Sequence, residues 1–89
     1  MMYAEKIKMQ YGCWNSQNPE DISQIYIRGY GWYYKATPYD HLKQNTKSIA
    51  VNIWPYPCLI PALSSNREKY IRSSPDIWGH DDLMDLPRE

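Results

Sequence analysis

Residues 22–34 read ISQIYIRGYGWYY, and the way this stretch alternates decides what fold the chain can make. Residues 22–28 are rich in β-branched and aromatic side chains, which predicts a strand. On a strand Ile25 and Ile27 share one face, and Tyr26 and Arg28 share the other. The isoleucines belong in the interior, so Tyr26 and Arg28 are expected to face outward. Gly29 and Gly31 flank Tyr30. Two glycines so close predict a sharp bend or a tight hairpin, with a second short strand through Trp32 and Tyr34.

The segments on either side extend this reading. In residues 3–11, YAEKIKMQY, strict alternation places Tyr3, Glu5, Ile7, Met9 and Tyr11 on one face of a half-buried strand. Ala4, Lys6, Lys8 and Gln10 fall on the other. Residues 13–21, CWNSQNPED, carry turn chemistry. Thr37-Pro38-Tyr39-Asp40 predicts a helix start, with Thr37 as the cap, Pro38 at the first helical position and Asp40 near the positive end of the dipole. Tyr39, Leu42, Thr46, Ile49 and Ala50 then form one stripe, so the helix is expected at about 38–50.

Residues 51–63 hold three prolines in an apolar run, which excludes a central strand throughout. An extended segment is expected first, and then an edge strand over 58–63. Residues 64–67 read as a turn, 68–73 as a last strand and 80–86 as one or two helical turns. The expected class is α+β: a mainly antiparallel sheet of four or five strands with one helix packed on it. The length of 89 residues predicts a single domain, 1–89.

Composition narrows the function. Nine Tyr and four Trp stand beside no Phe, so every large ring carries a polar atom that needs a partner. Such rings suit sheet faces, subunit interfaces and ligand walls. Ten basic residues balance ten acidic ones, which argues against duplex nucleic acid as a partner, since duplex affinity comes from many cations neutralising phosphate. No apolar run nears the 18 or so residues of a membrane span. The opening MMYAEKIKMQ lacks the apolar centre of a signal peptide. A cytoplasmic location with reduced Cys13 and Cys58 is expected.

No catalytic or cofactor motif is present: no GxSxG, no GxGxxG and no GxxxxGK[ST]. His41, His80, Cys13 and Cys58 have the right count for zinc but not the spacing. His80-Asp81-Asp82 is a weak candidate for a hard cation. The expectation is therefore no enzyme, no cofactor and no metal.

Lys69 to Pro87, KYIRSSPDIWGHDDLMDLP, resembles the C-terminal signature of a family of small bacterial and phage proteins known only as a domain of unknown function. The matching residues are Lys69, Tyr70, Arg72, Asp76, Asp82, Leu83, Leu86 and Pro87. Ile71 stands where the pattern has Leu, and Asp82 where it has Asn. The resemblance covers 19 residues and implies a small single domain without implying an activity. Read physically, Arg72 reaches Asp76 or Asp82, and Leu83 and Leu86 pack back on the sheet as a clamp. Tyr70 shares the strand face of Arg72.

Two functions remain. Tyr26, Arg28, Tyr30, Trp32, Tyr34, Tyr70 and Arg72 have the hot-spot composition of a protein contact, with a protein partner or a second copy of the chain. The alternative is a small nucleotide-type ligand. One stacked base is worth about 1–3 kcal/mol, so two rings and an arginine approach the roughly 8 kcal/mol of micromolar binding.

Overall fold

Strand β2 (Ile22–Ile27) buries Ile22, Ile25 and Ile27 and leaves Tyr26 half-exposed on the opposite face. The computed structural model describes residues 1–74 and 79–89. β2 lies between two antiparallel neighbours, β1 (Met2–Met9) and β3 (Gly31–Tyr34). Strand β4 (Ile49–Val51) pairs parallel with the start of β1, so the sheet order is β3-β2-β1-β4. A separate antiparallel pair, β5 (Leu59–Leu63) and β6 (Lys69–Ser73), forms a second sheet. With helix α1 (Ala36–Gln44) the class is α+β, and the six strands divide between a mixed sheet and a hairpin.

β1 departs from strict alternation. Ala4, Ile7 and Met9 are buried, so Ala4 and Ile7 face the same side although they lie three residues apart, an odd spacing that puts side chains of a regular strand on opposite faces. The reason is a bulge: Ala4 pairs with Ile27 and Lys6 with Tyr26, leaving Glu5 without an opposite residue. The expected grouping of Tyr3 and Glu5 with Ile7 and Met9 is thereby corrected. Tyr3 and Glu5 lie with Lys6 and Lys8 on the outer face, and Ala4 joins the core.

The β2–β3 turn is a tight hairpin. Ile27 pairs with Gly31 across a three-residue loop, and Tyr30 N–H donates to Ile27 C=O at 2.9 Å. Gly29 (φ 80°) and Gly31 (φ 102°) adopt backbone angles that side chains disfavour, which explains the paired glycines.

The helix begins earlier and ends earlier than expected. Lys35, not Thr37, occupies the cap position, and no side chain caps the helix. The Lys35 amine donates to Glu20 C=O at 2.9 Å and pairs with Glu68 at 2.6 Å, which fixes the chain where the helix starts. Pro38 is thus the third helical residue, still among the positions whose N–H groups lack a partner within the helix. At the other end Asn45 donates to His41 C=O through both its backbone N–H (2.8 Å) and its side chain (3.2 Å). Thr46 is exposed, and Ile49 to Val51 leave the helical stripe to pair with Met2 to Ala4. The β-branched pair in IAV finds more burial in a parallel ladder than on a helix flank.

The interior is one cluster. Leu42 and Tyr39 from the helix meet Ile7, Ile25 and Val51 from the larger sheet, Leu59 and Ile71 from the hairpin, Leu83 and Met84 from a 3-10 turn at Asp82–Asp85, and Leu86 just after it. Among the described residues no helix is long and apolar enough to cross a membrane.

Candidate interaction face

The outer face of the larger sheet is built from the residues that the core rejects. Tyr26 and Trp32 are opposite one another on β2 and β3, and their rings meet edge to face at 5.5 Å. Lys6 stands over Tyr26 at 5.0 Å and Lys8 over Trp32 at 4.8 Å. Arg28 lies over Tyr3 at 5.4 Å while its Nε donates to Glu5 at 2.8 Å. Tyr3 in turn meets Tyr56 edge to face at 5.9 Å. The face therefore carries four rings in two pairs with three cations over them. Each such cation–ring contact is worth about 0.5–1 kcal/mol at an exposed site.

Charge on this face is mostly matched. Glu5 pairs with Arg28, and Glu89 pairs with Lys6 at 3.2 Å. Lys8 has no ion pair among the described residues, so it is the cation with most charge left to offer. The bulge has a direct part here: it turns Glu5 outward, where its carboxylate reaches Arg28.

The seven residues expected to bind a partner do not form one patch. Tyr26, Arg28 and Trp32 are on the outer face, and Tyr34 follows Trp32 by two residues on the same strand with 68% of its surface exposed. Tyr30, at the hairpin tip, lines a mostly apolar cleft of about 220 Å³ with Tyr33, Pro38 and His41. Tyr70 and Arg72 belong to the hairpin sheet and line a different cleft of about 420 Å³, with Asn18, His80 and Asp81. The expected set lacks Tyr3, Lys6 and Lys8: alternation puts the two lysines opposite Ile7 and Met9, where they lie, and the bulge sets Tyr3 and Glu5 beside them. It also lacks Tyr56, whose loop over 52–57, with a cis Trp54–Pro55 peptide, returns it to the sheet. Alternation beyond Glu5 could have revealed the two lysines; no local signal pointed to Tyr56.

The expected clamp takes a different form. Asp76 lies outside the described residues, and the Arg72 side chain makes no hydrogen bond or ion pair among them. Asp81 does the pinning. Its Oδ1 accepts from Ser73 Oγ (2.5 Å), Ser73 N–H (3.1 Å) and Leu83 N–H (3.0 Å). Arg88 donates to Trp14 C=O at 2.6 Å and Met84 C=O at 3.1 Å. The tail then bridges to β1: Ile7 N–H donates to Pro87 C=O, and Glu89 N–H donates to Ile7 C=O. Leu83 and Leu86 are buried, as expected of residues that pack back onto the sheet.

Among the described residues, His80, Asp82 and Asp85 bring one ligand atom each to within 4.8 Å of one another. His80 already pairs with Asp85 at 2.6 Å, and this set is half open to solvent. It replaces the adjacent His80-Asp81-Asp82 trio, because the Asp81 carboxylate is committed to Ser73 and Leu83. Comparison with protein-family models, with curated proteins and with solved structures returns no match for this chain.

Proposed function

We propose that the chain is a non-catalytic interaction module and that the outer face of its larger sheet is a protein-contact surface. The observation that carries this reading is the edge-to-face Tyr26–Trp32 pair with Lys6 and Lys8 over it, beside Arg28 and Tyr3. Tyr, Trp and Arg dominate the energetics of protein interfaces. The rings are held by their neighbours before any partner arrives, so little side-chain entropy is lost on contact. Neither of the two clefts, at Tyr30 and at Tyr70 with Arg72, is lined by Tyr26, Arg28 or Trp32, which favours a broad contact over an enclosed small ligand.

The test is affinity capture with tagged wild-type chain beside Trp32→Ala, Arg28→Glu and, as a control, Tyr11→Ala. Tyr11 is fully exposed and has no part in the face. A partner retained by wild type and Tyr11→Ala but lost by the other two supports the reading. A partner retained by all four places the contact elsewhere.

The second reading, a nucleotide-type ligand, moves to the cleft around Tyr70 and Arg72. That cleft is concave and pairs a ring with a guanidinium that has no ion pair among the described residues. A thermal-shift screen with nucleotides and cyclic dinucleotides tests it. A shift present in wild type and absent in Arg72→Ala supports this second reading, and no shift with any nucleotide rejects it.

A further inference from the structure

Strand β3 is the open edge of the larger sheet. The backbone register shows which of its groups face outward. Lys35 N–H donates to Ser23 C=O at 3.1 Å, and Arg28 N–H donates to Tyr3 C=O at 2.9 Å. Odd-numbered residues at the β3 side of β2 therefore point to β3, and even-numbered ones to β1. By the alternation of an antiparallel ladder, Gly31 and Tyr33 spend their N–H and C=O groups on β2. Trp32 and Tyr34 turn theirs to the free edge. Among the described residues no strand, bridge or backbone bond uses them.

We propose that β3 pairs antiparallel with β3 of a second copy of this chain, about a two-fold axis at Tyr33. The occupant follows from self-complementarity. With Tyr33 on the axis, Trp32 stands opposite Tyr34 of the second copy, and Tyr34 opposite its Trp32. Both residues aim their N–H and C=O at the edge, so the two strands exchange four N–H···O bonds with no group left over. The same register sets Trp32 beside the second copy's Tyr34 on the outer face, an aromatic cross-strand pair of the kind that stabilises sheets.

The edge also lacks the usual guards. Natural edge strands discourage pairing with charge, proline or a bulge. Gly31 to Tyr34 contain none of these. The next cation along the chain, Lys35, is only 9% exposed, because its amine is drawn inward to Glu20 and Glu68, and the Lys8 amine lies over the Trp32 ring on the outer face and not at the strand edge. Pairing would join two four-stranded sheets into one and make their aromatic faces continuous. The inference rests on backbone register and not on what the outer face binds, so either can fail alone.

The first measurement is light scattering on wild-type chain over a concentration series. The mass should rise from 10.6 kDa toward twice that value. Tyr34→Pro deletes an edge-directed N–H without touching the β2–β3 ladder, so it should remain monomeric where wild type is dimeric. Arg28→Glu, which alters only the face, should still dimerise. The register is tested by cysteine pairing in a Cys13→Ser, Cys58→Ser background. Tyr33→Cys puts two Cα atoms about 4.5 Å apart across the axis, within disulfide reach, and should yield a covalent dimer on mild oxidation. Tyr34→Cys faces position 32 and should not. A wild-type chain that stays monomeric throughout, a Tyr34→Pro chain that dimerises like wild type, or cross-linking equal at 33 and 34 overturns the proposal. Should Tyr33→Cys fail to fold, the wild-type and Tyr34→Pro masses decide alone.

Discussion

Asp81 ties together three groups at the C-terminal end. One carboxylate oxygen takes three donors, two of them from Ser73, which is fully buried. The same oxygen caps the 3-10 turn that delivers Leu83 and Met84 to the core. Removing it strands a buried hydroxyl and a backbone N–H, each costing about 1–3 kcal/mol when unsatisfied. Asp81→Ala should therefore destabilise the chain by about 2–4 kcal/mol. For a domain of this size that lowers the melting temperature by roughly 8–30 °C. Asp81→Asn keeps an acceptor oxygen and should lose less. Thermal unfolding of both variants checks the order; an Asp81→Ala chain as stable as wild type would remove Asp81 from this role. The acidic run 81–85 reads from sequence as a solvated end, and nothing local distinguishes the one carboxylate that faces Ser73 from its neighbours.

At the scale of the element, the end of β2, past the irregularity at Ser23, differs from β1 in how much its sequence discloses. Ile25, Tyr26 and Ile27 alternate without interruption, and the hairpin is announced by Gly29 and Gly31, so the outward placement of Tyr26 and Arg28 was legible. In β1 the pattern is equally regular on paper but is broken by a bulge, whose position depends on the strand opposite. Alternation describes one strand, whereas a bulge belongs to a pair. Helix α1 shows the same limit: Pro38 marked the start to within a turn, but Lys35 is fixed by Glu20 and Glu68, far away in sequence. The bulge makes a prediction of its own. Deleting Glu5 restores regular alternation, with Ala4, Ile7 and Met9 inward and the pairs Ala4–Ile27, Lys6–Tyr26 and Ile7–Ile25 intact. The deletion should leave the fold in place and free Arg28 from its carboxylate. Deleting Ile7 instead should unfold the chain, because Lys8 would then enter the core. Circular dichroism and amide NMR spectra of the two deletions distinguish these outcomes, and a Glu5 deletion that also unfolds would show that the extra residue is required by the β4 side of the sheet.

Across the whole molecule, two sheets are held on one core and meet at the Ala50–Cys58 bridge, and ion pairs tie the hairpin to the helix. Glu68, just before β6, pairs with Lys35 at the helix start, and Lys69 on β6 pairs with Asp40 at 2.7 Å. The hydrogen bond from Lys35, with its charge, holds the Glu68 carboxyl below its ordinary 4.5, and the hydrogen bond to Asp40 raises the Lys69 amine above its ordinary 10.5. The two shifts act at opposite ends of the pH scale. A carboxyl depressed in the folded state stabilises it above the unfolded value and loses that effect as pH falls through the folded one. An amine raised in the folded state stabilises it below the unfolded value and loses that effect as pH rises through the folded one. Glu68→Gln should therefore melt below wild type at neutral pH, with the gap closing as pH drops below 4.5. Lys69→Met should show a gap that closes only above 10.5. Glu68, Lys69 and Asp40 are exposed, so the gaps should be small and should shrink in high salt. Melting temperatures of the three chains across pH measure this directly. A Glu68→Gln gap that stays constant through the acid range would mean that packing of the side chain, and not its charge, joins the hairpin to the helix.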